Sequence, residues 1–285
     1  MRKITYTNER GYSVTFGRTA PFFLSRISAN SVGTTISTVK AIGQDGQTTQ
    51  EITYNPRTVI CEVSFVGIEN GRYSDTEMLK NWRKITRAVV PKLRGVLEYK
   101  NDAGTYRIDC YPLELPDYTR DVGTHCTLTL QFIADFPFWR SSAEFSSRLG
   151  QVVGGKRYPV KYNPKMRYGT WVKNAVITND TGVDTPFVVE VESVSDFVRL
   201  SNKATGEFLL VNQPIGDGEK LVIDTGTYKV LLVKTDGSQE LANYKLSLDS
   251  SFFQLPPGTS EIVLENGEES LSRATITYSK LFLGV

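Results

Sequence analysis

Residues 124–132 read Thr-His-Cys-Thr-Leu-Thr-Leu-Gln-Phe, and every second side chain from Cys126 to Phe132 is apolar. A period of two is typical of a β-strand that buries one face and exposes the other. The pattern places His125, the single histidine of the chain, on the face opposite the core. This stretch therefore predicts an antiparallel sheet packed on one side.

The same alternation recurs along the chain, broken by Gly, Asn, Asp and Pro turns. Residues 58–66 place four apolar side chains on one face, namely Val59, Cys61, Val63 and Phe65. Residues 97–110 are predicted to form a β-hairpin around Asn101-Asp102-Ala103-Gly104, because these turn residues tolerate positive φ. The first half of the chain is therefore predicted to be β-rich.

One segment, from Asp75 to about Val90, is predicted to be helical. Ser74 and Glu77 make a capping box, apolar side chains then recur at helical spacing, and Pro91 ends the pattern. The opposite face carries a basic stripe of Lys80, Arg83, Lys84 and Arg87. A basic stripe can bind nucleic acid, but a short one without interleaved aromatics makes few phosphate contacts. We therefore interpret it as the solvated face of a helix that covers a sheet.

Composition limits the classes of function. The 285 residues are 40% hydrophobic and 22% charged, as expected of a folded chain of roughly two domains, and the formal net charge of +2 implies no electrostatic partner. The sequence shows neither a membrane-spanning run nor the apolar core of a signal peptide, so synthesis in the cytoplasm is expected. The three cysteines are far apart and predict neither disulfides nor a zinc site; they are interpreted as core side chains.

The second half changes rhythm. After Phe136-Pro137-Phe138-Trp139, residues 145–178 contain seven basic and no acidic residues, which suggests a connector or arm. Short strands and turns resume after Trp171, as in a β-sandwich. The sequence therefore predicts three parts: an α+β domain over 1–140, a connector over 141–173 and a β-sandwich over 174–285. The fold class is mainly β with one clear helix.

No catalytic constellation emerges from the residues. A catalytic triad would have to be centred on His125, which lies within a strand, and no glycine pattern resembles a phosphate-binding loop. Adjacent acids such as Asp217/Glu219 and Glu268/Glu269 lie in turn-like stretches, where carboxylates are usually solvated. We predict no catalytic, cofactor-binding or metal residues, and hence not an enzyme. The sequence alone does not exclude a glycosidase, but nothing in it supports one. The aromatic side chains leave a sugar-binding surface open as an alternative.

The order of the parts resembles the distal tail protein family of siphovirus-like phages. The motifs that carry this resemblance follow the boundary at Phe136-Pro137-Phe138-Trp139 and lie mainly in the second half: residues 177–182, Thr205-Gly206, residues 223–225, residues 252–258 and residues 276–285. The resemblance implies an N-terminal belt domain that forms a homo-hexameric ring at the tail tip, and a galectin-like C-terminal β-sandwich.

The resemblance also implies a function and partners. The ring would be a baseplate hub that joins the tail tube protein to a tail-associated fibre or lysin protein and to receptor-binding proteins, in the host adhesion device of the virion tail tip, with DNA passing transiently through its lumen. No cofactor and no membrane contact are expected. Galectin sites use histidine and tryptophan, but the predicted sandwich contains no histidine and Trp171 lies at its start. We therefore interpret the sandwich as an attachment scaffold, with a carbohydrate-binding adhesion module as the alternative.

Overall fold

The computed structural model describes residues 2–120, 125–153, 170–266 and 273–285. The chain divides into two compact units. The first unit comprises Met1–Ser142 and Phe282–Val285, and the second comprises Ala143–Leu281. In sequence, the second unit is therefore inserted between two parts of the first.

The first unit begins with strands and contains one α-helix among its described residues. Its elements in the first part of the chain are β1 (Lys3–Asn8), β2 (Ser13–Phe16), β3 (Phe22–Ser28), β4 (Thr34–Val39), β5 (Thr48–Tyr54), β6 (Arg57–Val66), β7 (Ile68–Glu69), β8 (Arg72–Tyr73), α1 (Asp75–Ala88), β9 (Gly95–Lys100), β10 (Thr105–Pro112), β11 (Tyr118–Arg120), β12 (His125–Ala134) and β13 (Trp139–Ser141).

The second unit is built from strands and one short 3-10 turn over Asn243–Lys245. Its strands are β14 (Phe145–Leu149), β15 (Gln151–Val153), β16 (Thr170–Val172), β17 (Asn174–Asn179), β18 (Phe187–Val191), β19 (Val198–Asn202), β20 (Phe208–Val211), β21 (Lys220–Asp224), β22 (Lys229–Val233), β23 (Gln239–Leu241), β24 (Gly258–Glu265) and β25 (Ala274–Tyr278). A last strand, β26 (Leu281–Phe282), pairs with β13 in the sheet of the first unit.

The main sheet of the first unit runs in the order β2-β1-β9-β10-β12-β6-β3. Its two edge strands meet, because the amide of Gly17 donates to Phe22 O at 3.1 Å and the amide of Leu24 donates to Gly17 O at 2.8 Å. The sheet therefore curls around a core that includes the predicted inward side chains of β6 and β12. Thr124, the first residue of the predicted strand, lies outside the described residues.

The predicted helix is confirmed over Asp75–Ala88. The Ser74 hydroxyl accepts a hydrogen bond from the Glu77 amide, as the capping box predicts, and Met78, Ile85 and Ala88 are buried against the sheet. The predicted hairpin is also confirmed, since β9 and β10 pair in register from Lys100 and Thr105 onward. Local signals sufficed here because caps and tight turns are encoded within a few residues.

The second unit is a β-sandwich, as predicted. One sheet has the order β14-β25-β18-β21-β22-β23 and the other the order β17-β24-β19-β20. Alternate side chains of both sheets fill one core, among them Val189, Leu200, Ile223, Leu264 and Ile276. The short strands predicted after Trp171 are therefore present and pack as two facing sheets.

The structure adds features that composition did not indicate. Phe145–Leu149, part of the predicted connector, pairs with β25 as an edge strand of the sandwich. β15 and β16 pair with each other, and residues 154–169 of the predicted connector lie outside the described residues. Residues 282–285, which the sequence grouped with the sandwich, lie in the first unit. These assignments depend on partners that are distant along the chain.

Candidate assembly surfaces

An exposed β-hairpin leaves the sheet of the first unit between β3 and β6. We call residues 34–54, which contain β4 and β5, the arm. Within the described chain, these two strands pair only with each other, and every residue of both is exposed. Ile36 lies directly opposite Ile52, and their side chains are 54% and 62% exposed. The arm therefore presents an uncovered apolar pair to its surroundings.

The composition of the arm is typical of a strand that pairs with another surface. Its charged side chains are Lys40, Asp45 and Glu51, and the rest is rich in threonine and isoleucine. An isolated two-stranded hairpin is marginally stable in water, and a strand edge with few charges is a template for further pairing. The alternation around Gly43 and Gly46 was a signal that sequence analysis could have used to find this hairpin.

The root of the arm is held by hydrogen bonds and by aromatic rings. The Asn55 amide donates to Gly33 O at 2.9 Å, so the two chain segments that lead into and out of the arm are joined. The ring of Tyr54 packs edge-on against Phe138, with centroids 5.3 Å apart. The motif at residues 136–139, which marked a boundary in the sequence, therefore packs against the root of the arm.

A buried arginine follows the arm directly. The guanidinium of Arg57, which begins β6, is fully buried and donates to three backbone carbonyls: Pro137 O at 2.6 Å, Leu283 O at 2.6 Å, and Ala29 O. Burial lowers the pKa of Arg57 to about 10, so the side chain remains charged at neutral pH. Carbonyl dipoles, rather than a carboxylate, stabilise this charge. Sequence analysis missed Arg57 because its residue type predicts exposure.

The basic stripe of α1 makes local contacts. Lys80 forms an ion pair with Glu77, and Lys84 donates to Asn81 Oδ1 at 3.3 Å. The guanidinium of Arg87 lies 3.8 Å from the ring centre of Tyr12. Three of the four cations thus have partners within the unit, which supports the interpretation as a solvated helix face.

The outer face of the four-stranded sheet in the second unit is covered by charged side chains. Arg199 lies over the ring of Phe208 at 4.6 Å and pairs with Glu265 at 3.5 Å. Glu261 accepts from both Lys203 at 2.7 Å and Asn174 at 2.6 Å. Sugar-binding platforms need an aromatic face that is open to the ligand. Phe208 does not offer one, because Arg199 covers it.

The residues considered for chemistry do not converge. His125 is exposed at the start of β12, near the ring of Phe23. Glu219 accepts from the amide of Gly216 in a turn, whereas Glu268 and Glu269 lie outside the described residues. Cys61, Cys110 and Cys126 are buried in the core of the first unit, as predicted.

Across the described ranges, no group of three or more His, Cys, Asp or Glu side chains is arranged to hold a metal ion. No helix in the described part of the chain is long and apolar enough to cross a membrane.

Comparison with known proteins places the second unit in a family. Residues 180–282 match the family model described as "Siphovirus-type tail component, C-terminal domain". The search of curated proteins by sequence gave no match.

Solved structures resemble the whole chain. The Dit protein of phage SPP1, described as a paradigm of the hub adsorption apparatus in phages that infect Gram-positive bacteria, matches with a TM-score of 0.68 and 12% identity, over 98% of this chain and 99% of that one. Two structures of the phage p2 baseplate in its activated conformation, with Ca and with Sr, match at a TM-score of 0.45, with 11% and 12% identity and 98% coverage of each chain. At that score they add nothing to the assignment.

The second unit is a β-sandwich that matches the tail-component domain, and the whole chain shares its fold with a solved siphophage tail protein. Over residues 180–282 the chain is similar to the siphovirus-type tail component family, and its fold resembles that of the SPP1 Dit protein. The resemblance inferred from the sequence is thereby confirmed.

Proposed function

We propose that this chain is a structural, non-catalytic hub that assembles as a hexameric ring at the distal end of a phage tail. The ring would join the tail tube to a tail-tip fibre or lysin protein, and the second unit would carry receptor-binding proteins. The observation that carries this proposal is the arm, whose exposed strands and apolar pair Ile36 and Ile52 require a covering surface.

The covering surface is best supplied by a second copy of the chain. A contact in which the arm of each copy lies on the next copy is heterologous, and such contacts close into rings when the rotation allows it. In a closed ring every arm would be covered, and no unpaired strand edge of an arm would remain exposed. The number six comes from the family resemblance, because the geometry of a single chain does not define it.

The arm variant Ile36→Glu/Ile52→Lys tests this contact. The two positions lie directly opposite each other, so opposite charges preserve the cross-strand pair while the apolar face is lost. Mass photometry of the full-length chain is expected to show a hexamer for the unmodified protein and mainly monomer for the variant. Circular dichroism should be unchanged, because the arm does not contribute to either core.

Val176→Lys is the matched control. Val176 is also exposed on a strand, at 64%, but it lies in the second unit and is paired opposite Glu261. This variant should assemble like the unmodified chain. A monomeric unmodified protein, or an arm variant that assembles normally, would contradict the proposed ring contact.

DNA would pass through the lumen of such a ring without tight binding. The supporting observation is that Lys80, Lys84 and Arg87 already interact with neighbouring side chains. A cation adds affinity for DNA when it neutralises a phosphate and thereby releases counterions. A side chain that stays bound to a neighbour in the protein does this less, so it adds little affinity. Weak binding suits a conduit through which a genome must slide.

A further inference from the structure

The last described residues of the chain bind on both sides of the arm root. We call residues 282–285 the strap. The carbonyl of Leu283 accepts from Arg57, which follows the arm, at 2.6 Å. The amide of Val285 donates to Asn30 Oδ1, which precedes the arm, at 3.0 Å. The strap is therefore bonded to both segments by which the arm leaves the sheet.

The strap is anchored by apolar contacts and by the pairing of β26 with β13. The ring of Phe282 packs edge-on against Tyr106 of β10, with centroids 5.2 Å apart. Phe282 and Val285 both pack against the core of the first unit. The strap thus has an apolar anchor at one place and polar contacts to the arm root at another.

Arg57 connects the strap to the arm root, because it donates hydrogen bonds to residues of both. Its guanidinium also donates to Ala29 O and Pro137 O, and Trp139 Nε1 donates to the same Ala29 oxygen at 3.1 Å. An arginine fork holds acceptors in fixed directions, so the loss of one acceptor leaves a buried N–H unsatisfied and frees the side chain to turn. Displacement of Leu283 would therefore weaken the hydrogen bond from Arg57 to Ala29 O, which lies just before the arm.

We propose that the strap orients the arm: with residues 282–285 seated, Arg57 and Asn30 hold the arm root, and with the strap displaced, the root loosens. The strap follows the whole second unit in sequence, so the arm reaches its oriented state only in a chain whose second unit has been made. Arg57 and Asn30 are positioning residues in this device. The inference rests on the proposed function only where it takes the arm to be the ring contact.

Hydrogen–deuterium exchange of the full-length chain tests the proposal through Phe282→Ala. Phe282 packs against Tyr106 and the core of the first unit, and its strand pairs with β13, so its loss is expected to reach the arm root through the strap and through β13. Peptides covering residues 30–36 and 52–57, which contain the bonded pair Gly33 and Asn55, should exchange about tenfold faster. A peptide covering residues 39–48 should be unchanged, because its turn is held locally by the Gln44 amide on Ala41 O.

A second variant and a control complete the experiment. Arg57→Met should accelerate exchange at the same root peptides, whereas Arg26→Met, which removes an exposed cation from the neighbouring strand, should leave them unchanged. If Arg57→Met fails to fold, Phe282→Ala still decides the matter. Faster exchange confined to residues 281–285 would overturn the coupling, and unchanged exchange there would overturn the anchoring role of Phe282.

The exchange result is independent of ring formation. A strap that orders the arm root, combined with normal assembly of Ile36→Glu/Ile52→Lys, would refute the ring contact and leave this inference standing. If the arm variant is monomeric but Phe282→Ala does not change exchange at the arm root, the ring contact is supported and the present inference is refuted.

Discussion

The indole nitrogen of Trp139 donates to the carbonyl oxygen of Ala29 at 3.1 Å, inside a fully buried site. Trp139→Phe would keep an aromatic ring in the core, leave a small cavity where the rest of the indole lay, and remove this donor. The variant is expected to lower the free energy of unfolding by about 1–2 kcal/mol, because Ala29 O would keep only its bond from Arg57. Urea denaturation of the full-length chain, monitored by tryptophan fluorescence and by far-ultraviolet circular dichroism, measures the change.

Trp82→Phe is the control for that prediction. Trp82 is half-buried and stacks on Phe65, with centroids 6.0 Å apart, so a phenyl ring preserves most of its contacts. A loss of stability in Trp82→Phe equal to that in Trp139→Phe would show that tryptophan volume, rather than the bond to Ala29, matters.

Stability should fall as the pH rises above 9. Burial raises the pKa of the Cys61 thiol from 9.0 to about 12, and it raises the pKa of Cys110 as well. Between these limits the unfolded chain loses the thiol protons while the folded chain keeps them, so the unfolded state is favoured as pH increases. Melting temperatures measured from pH 8 to pH 11 should therefore decline.

Cys61→Ala should make that decline shallower. Val59→Ala is the matched control, since it also removes buried volume from the same strand but introduces no change in titration. Both variants should be less stable at pH 8, and the steep alkaline slope should persist in Val59→Ala. Identical slopes in all three proteins would exclude a contribution from Cys61.

Gly67→Ala is expected to disrupt the packing of α1. An added Cβ would lie 2.7 Å from Met78 Cα and would overlap the Ser74 carbonyl oxygen. Both are backbone atoms of the helix start, so the helix would have to move, at a cost of about 3 kcal/mol. Thermal unfolding measures this, with Gly182→Ala as the control because its added Cβ meets nothing within 4 Å.

Binding of duplex DNA at physiological salt should be weak and should decrease steeply with added salt. The variant that replaces Lys80, Arg83, Lys84 and Arg87 by alanine should change this binding little, because three of these side chains already interact within the protein. Fluorescence anisotropy on the assembled protein measures both. Tight binding that the variant abolishes would show that the stripe lines a DNA channel.

Features that depend on neighbours a few residues apart could be predicted from the sequence. Period-two alternation gave the inward faces of β6 and β12, the Ser74–Glu77 capping box gave the start of α1, and Asn101–Gly104 gave the β9–β10 turn. The order of short motifs in the second half was enough to indicate the tail-component family. Each of these signals is written within a few residues, where backbone preferences act directly.

Features that join distant parts of the chain could not be predicted from the sequence and emerge with the fold. Arginine is usually exposed, but Arg57 is buried among the carbonyls of Ala29, Pro137 and Leu283. Phe145–Leu149 is a strand because it pairs with β25. The physical reason is that burial of a charge and pairing of a weak strand are stabilised by partners whose proximity the fold alone creates.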